Sequence, residues 1–280
     1  MRFPWLNQGL TFTKPSRREY LPLGTLLGYT KEHWMPYASH MLFVSGAASL
    51  IGVYVAYPCA VVLTAVVLLL WALKGRYPEL TVRGTTAADW LLAVAVGVVG
   101  IVIWIAPYHL FPGLMFARIP LFGNENIYLS FSYGFTFPDG FTRMMNGLVQ
   151  IPAKLPTPTY DPSSLAGMWK PAFIAVRMLG ACVTVPFFEE LFIRSLVVRF
   201  AEDEFYKRVP IGWWSRRSFL WALGLYVVAH PWWLVAALWG GLTFWLFYRK
   251  KNLLLNVVAH AVSNLLLAFY VLYSGNLYLW

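Results

Sequence analysis

Four stretches of this 280-residue chain carry no Asp, Glu, Lys or Arg: 33–73, 90–117, 218–248 and 252–280. Each is at least as long as the ~20 residues with which a helix crosses a bilayer. Charged residues make up only 12% of the chain and hydrophobic residues 59%, where an ordinary soluble domain is about a quarter charged. Inside a bilayer every backbone N–H and C=O must find a partner within the protein, and an isolated segment does so only as a helix. The runs therefore predict an all-α fold: a polytopic integral membrane helical bundle of about seven transmembrane helices.

The expected spans lie near 36–56 and 58–73, divided at Tyr57 and Pro58, then at 90–109. A fourth begins near Pro171 and runs through PFFEELFIRSLVVRF. Pro231 divides 218–248 into two more, and the last covers 253–273. Seven spans place four basic segments on one side: Lys14, Arg17 and Arg18; Lys74, Arg76 and Arg83; Arg199, Lys207, Arg208, Arg216 and Arg217; and Arg249, Lys250 and Lys251. The positive-inside rule makes that side cytoplasmic. The N-terminus is then cytoplasmic, and the C-terminus and the 110–169 connection lie outside, the latter as a loop or interfacial cap.

Residues 1–32 read as a cytoplasmic polar tail and 33–280 as a single membrane domain. MRFPWLNQGLTFTKPSRREY has neither the apolar core nor the cleavage site of a secretory signal. The formal net charge of +10 reports orientation and contact with anionic lipid in such a protein, so no nucleic-acid partner is expected. Cys59 and Cys182 lack metal-type spacing and read as small apolar packing residues. His33, His40 and His109 stand at span edges and read as interfacial. The aromatics Trp213, Trp214, Trp232, Trp233 and Tyr248 suit interface belts.

Ionisable groups within spans are costly, by roughly 3 kcal/mol each, and point to function. Three clusters hold most of them: Glu189, Glu190 and Arg194; Tyr226 and His230; His260 and Asn264. Glu190–Arg194, Tyr226–His230 and His260–Asn264 are each four residues apart and share one helix face. Counted from the nearest basic anchor at about 1.5 Å per residue, Glu189 lies about 15 Å deep, His230 about 20 Å and His260 about 13 Å. Adjacent glutamates diverge by about 100°, so one can pair with Arg194 while the other faces the histidines. A carboxylate beside an imidazole can hold and deprotonate a water. A neighbouring His and Asn can donate to an oxyanion as it forms. Bland readings compete: Glu190–Arg194 as a structural ion pair, His230 as a helix-end residue, His260–Asn264 as an interhelical clamp.

EELFIR, YVVAH and HAVSN, in that order and each on its own helix, resemble the motifs of the CAAX-processing and bacteriocin-processing (CPBP) family. These are intramembrane endopeptidases similar to the type II CAAX prenyl endopeptidase. The resemblance covers about 165–280 and implies a catalytic core there. It implies Glu189 as general base assisted by His230, His260 and Asn264 as the oxyanion site, and Glu190 with Arg194 as a brace. Tyr226 stands where the family usually has Phe. GNLYLW and RMLGACVTVPFFEELFIR further resemble a bacterial branch linked to exosortase-type surface sorting, which implies a bacterial inner (plasma) membrane protein.

The substrate implied is a membrane-associated protein or peptide. No cofactor is expected to be required. A divalent metal such as zinc, if present, would sit on Glu189, His230 and His260, although the HExxH spacing is absent. Two other function classes stand beside the protease. A non-catalytic immunity or scaffold protein would keep the fold, but every motif residue is present. A proton-coupled transporter would favour inverted repeats, and the sequence shows none.

Overall fold

The computed structural model describes residues 5–14, 20–110, 117–121, 124–131, 160–230 and 232–279. Its helices are α1 (Leu23–Met41), α2 (Ala48–Ile51), α3 (Val53–Leu73), α4 (Ala87–Leu110), α5 (Trp169–Phe200), α6 (Arg216–Val228), α7 (Trp233–Lys250) and α8 (Leu253–Ser274). A π-helical turn, Leu42–Ala47, carries α1 into α2 without a break. By length and composition, α3, α4, α5 and α8 are apolar enough to cross a membrane. The protein is thus a polytopic helical membrane protein, as the uncharged runs require. A short antiparallel ribbon, β1 (Ala117–Leu121) with β2 (Asn124–Phe131), departs from an all-helical chain. The remainder of the expected 110–169 loop lies largely outside the described residues.

Two boundaries differ from the sequence reading. Helix α1 starts at Leu23, well before the limit drawn at 33. The break between the first two spans falls at Gly52, not at Tyr57–Pro58. Gly52 adopts φ 78°, ψ 149°, a conformation that a side chain at Cβ disfavours. Pro58 stays inside α3, where the missing N–H leaves one carbonyl of the preceding turn without its bond.

Helix α5 is the least regular rod. Its backbone widens into π turns at Gly180–Thr184 and again at Glu190–Val197. Pro186 cannot donate to the carbonyl four residues back and crowds it, and the first wide turn lies just where that carbonyl sits. Such widened turns recur at functional sites because they re-aim side chains. Helix α6 begins at a reciprocal capping box between Ser215 and Ser218. Helix α8 begins where the Asn252 side chain accepts from the Leu255 N–H.

Helix α4 packs closest on α8, and two glycines permit it. A Cβ on Gly97 would meet the Ala259 carbonyl oxygen at 2.7 Å, and one on Gly100 would meet Ser263 Oγ and Trp239 Nε1 at 2.7 Å. The Ser263 hydroxyl donates to the Gly97 carbonyl at 2.8 Å. Small residues at a crossing let dispersion and short hydrogen bonds act where lipid offers no hydrophobic gain.

Helices α6 and α7 form a hairpin of unequal arms, of 13 and 18 residues. At about 1.5 Å per residue, α6 rises only about 20 Å. Neither arm satisfies the length and hydropathy of a full crossing. The turn between them carries His230.

The N-terminal stretch is not a free polar tail. Asn7 donates to the Trp214 carbonyl at 2.9 Å and accepts from the Trp214 N–H at 2.7 Å. Lys251 reaches the Gln8 carbonyl, and Trp5 and Leu6 pack on the main hydrophobic cluster. Trp214 is therefore tied to protein rather than set in an interface belt, and Tyr248 is buried. His33 and His40 are buried too, at 1% and 4% exposure, and not interfacial. His33 Nε2 lies 2.6 Å from Glu79, and its Nδ1 lies 2.9 Å from the Tyr206 hydroxyl. Ser195 and Arg199 of α5 also donate to Glu79, at 2.5 and 3.3 Å. Burial pushes the Glu79 carboxyl up, but the hydrogen bond from His33, with Arg199 and Ser195, outweighs it and holds the pKa at about 2. Cys59 is exposed rather than packed, and Cys182 is half-buried.

Candidate active site

Glu189 sits at the seam between the regular Val185–Glu189 stretch of α5 and its second π turn. Its Oε2 is buried without a hydrogen-bond partner. A small cavity of about 110 Å³ opens beside it, lined by Glu189, Tyr226, His230, His260 and Asn264 together with Trp239. The structure thus gathers the acid, both histidines and the amide singled out from the sequence around one space. From the level of Glu189 and His260, the lining runs toward Trp104, His230 and Leu267. Those residues lie toward the ends of α4, α6 and α8 that are away from the basic turns. A somewhat larger surface pocket, lined by Lys14, Glu202, Asp203, Arg208 and Arg217 among others, holds none of the motif residues.

His230 lies two residues past the last residue of α6, where helix carbonyls lack intrahelical donors. Its Nδ1 lies 2.8 Å from the Tyr226 carbonyl oxygen. A carbonyl only accepts, so Nδ1 carries the hydrogen and Nε2 presents a lone pair. The helix-end reading of His230 is therefore correct, and it is what fixes the ring for the cavity. Tyr226 lies 4.3 Å from the His230 ring, centroid to centroid, and stacks on Trp239 at 5.5 Å.

Glu190 and Arg194 are both fully buried, and their ion pair closes at 2.5 Å. The second carboxylate oxygen of Glu190 takes His260 Nδ1 at 3.0 Å. The expectation that Glu190 turns away from the histidines is corrected here. The wide backbone of the second π turn lets one carboxylate serve Arg194 on its own helix and His260 on α8. Arg194 donates onward to Thr243 Oγ1 at 2.5 Å, and its guanidinium lies 4.6 Å from the Phe244 ring centroid. Asn264 donates to the Ala181 carbonyl at 2.6 Å, so one of its two N–H groups is spent on the α5 backbone.

Motif spacing had no means to find Thr243, Trp239 or Ser263. Thr243 and Trp239 lie on α7 without ionisable neighbours in sequence, while Ser263 lies inside HAVSN at a position the four-residue spacing skips, and only the packing of three helices brings them to the site. Their one signal is polarity inside an uncharged run.

The metal set of Glu189, His230 and His260 does not fit as it stands. Both imidazoles have Nδ1 engaged and Nε2 available, a pattern common in metal ligands. Among the described residues, however, no three His, Cys, Asp or Glu side chains gather closely enough to hold an ion.

Residues 171–266 match the model of the family described as Type II CAAX prenyl endopeptidase Rce1-like. The matched segment contains all seven motif residues, from Glu189 to Asn264, and supports the CAAX-processing and bacteriocin-processing family and intramembrane proteolysis in general terms. No curated protein and no solved structure matches.

Proposed function

On the premise that residues 171–266 are a segment of the Rce1-like family of type II CAAX prenyl endopeptidases, we propose that this chain hydrolyses a peptide bond of a membrane-associated protein or peptide. The observation that carries the reading is the unpartnered, buried Oε2 of Glu189 beside a cavity shared with His230, His260 and Asn264. A carboxylate there lacks the protein donors that would quench its basicity, and a water in the cavity would supply them.

In the proposed reaction Glu189 takes a proton from that water while His230 Nε2 helps hold it. The water oxygen adds to the scissile carbonyl carbon, and the carbonyl oxygen becomes an oxyanion facing Asn264, whose second N–H can donate, and His260, whose Nε2 donates when the ring is the imidazolium. The carbon–nitrogen bond then breaks, and the leaving amine receives the proton held by Glu189. Glu190 orients His260 and keeps Arg194 compensated. No step is routed through a metal. The proposal extends to place: a bacterial inner membrane, with the four basic segments cytoplasmic.

Glu189→Gln keeps the shape of the side chain and removes the base. Purified in detergent, this variant should unfold at the wild-type temperature and leave a panel of quenched fluorescent apolar peptides intact. The panel stands in for the substrate. Full turnover by this variant would defeat the reading and favour a scaffold.

A further inference from the structure

The hydroxyl and amide donors around the cavity are unequally committed. Ser263 donates to the Gly97 carbonyl, Asn264 spends one N–H on the Ala181 carbonyl, and Trp239 Nε1 points at Ser263. His260 gives its Nδ1 hydrogen to Glu190, so in its neutral form it has none left on Nε2. Tyr226 differs. Its hydroxyl has no hydrogen-bond partner among the described residues, and the residue lines the cavity. Its ring is held on both sides, against His230 and against Trp239. A pinned ring with an uncommitted O–H at the wall of the cavity is a preorganised donor.

We propose that the Tyr226 hydroxyl is a further catalytic residue, the donor that stabilises the oxyanion formed on the scissile carbonyl. This rests on the protease reading above. When the water oxygen bonds to the carbonyl carbon, the π pair moves onto the carbonyl oxygen, which accepts a hydrogen bond from Tyr226. When the carbon–nitrogen bond breaks, that pair re-forms the carbonyl and the bond to Tyr226 weakens. The tyrosine proton stays on its own oxygen throughout, so no other proton donor or acceptor is needed. The interaction is strongest in the transition state, which places its effect on kcat rather than on KM. A ring alone at position 226 would pack equally well and supply none of it.

The test uses full-length protein in proteoliposomes and the same quenched peptide panel, with wild type, Glu189→Gln and Tyr226→Phe side by side. Loss of one oxyanion donor predicts a fall in kcat of about 100-fold in Tyr226→Phe, with KM nearly unchanged. Replacing Tyr226 with 3-fluorotyrosine guards against a folding defect. The ring and hydroxyl remain and the O–H is a stronger donor, so kcat should be kept in this variant where Tyr226→Phe loses it. A packing role leaves kcat unchanged in both variants. Wild-type kcat in Tyr226→Phe, with Glu189→Gln inactive, overturns this inference and leaves the protease reading intact. Turnover by Glu189→Gln, or none by the wild type on any peptide, overturns both.

Discussion

Glu190→Gln tests whether the site is held together by charge compensation. Wild-type Glu190 is fully buried and serves two partners, Arg194 at 2.5 Å and His260 at 3.0 Å. The substitution keeps shape and one acceptor but removes the charge, which strands the Arg194 guanidinium at zero exposure. Removing one member of a buried pair costs about 3–5 kcal/mol. The bond to Thr243 and the nearby Phe244 ring remain, which places the expectation at the lower end, about 3 kcal/mol. At about 2–4 °C per kcal/mol, the unfolding temperature should fall by roughly 6–12 °C. Thermal unfolding in detergent, followed by tryptophan fluorescence at one scan rate, measures it. The second half of the experiment adds Arg194→Met. If stranded charge is the cause, the double variant should recover at least half of the loss, since well-packed apolar replacements of buried pairs are often neutral. A double variant no more stable than Glu190→Gln would refute the argument.

Three further outcomes follow from other parts of the molecule. Gly100→Ala should destabilise by about 1–3 kcal/mol, because the new methyl meets Ser263 and Trp239 at 2.7 Å and α4 must shift; the same thermal assay reads it. Glu79 has a folded-state pKa lowered from 4.5 to about 2, so its contribution is full above pH 4.5 and is lost as pH falls toward 2; at 1.36 kcal/mol per pH unit this amounts to at most about 3 kcal/mol, and Glu79→Gln should flatten the acid side of a stability profile. Reporter fusions near residues 80, 140, 210 and 250 and at the C-terminus should put 140 and the C-terminus opposite the rest, and finding 140 and 210 on one side would refute the proposed orientation.

The sequence could be read wherever a single helix carries the relationship. Glu190–Arg194 and Tyr226–His230 lie four residues apart, and both meet in space as that spacing requires. Depth counting also brought Glu189, His230 and His260 to one region, because basic anchors fix where each helix starts. Relationships between helices were hidden. Nothing in EELFIR or HAVSN says that Glu190 would also take His260, since that depends on a π turn whose widening no residue type specifies. The burial of His33 was missed for the same reason: Glu79 and Tyr206 come to it from two distant parts of the chain. Gly52 ends the first rod through a backbone conformation, while Pro58, the stronger textual signal, is absorbed inside α3. The N-terminal stretch looked like a tail because its hold on Trp214 runs through one asparagine and a backbone unit, which leave no hydrophobic pattern.

The short arm of the α6–α7 hairpin has a further consequence, in the thickness of the surrounding bilayer. A 13-residue arm that rises about 20 Å falls roughly 10 Å short of the ~30 Å hydrocarbon layer. Neighbouring helices must cover the gap, or lipid must thin over the tip, and thinning costs fractions of a kcal/mol per Å of mismatch. His230 sits at the tip, so where lipid thins over it the place at which the proposed reaction holds its water is also where the apolar layer is shallowest. An enzyme that consumes water inside lipid has to be supplied with it, and a truncated hairpin shortens the route. Turnover should therefore rise in bilayers of short acyl chains and fall in long ones, with acyl length acting on catalysis through hydration of the hairpin tip.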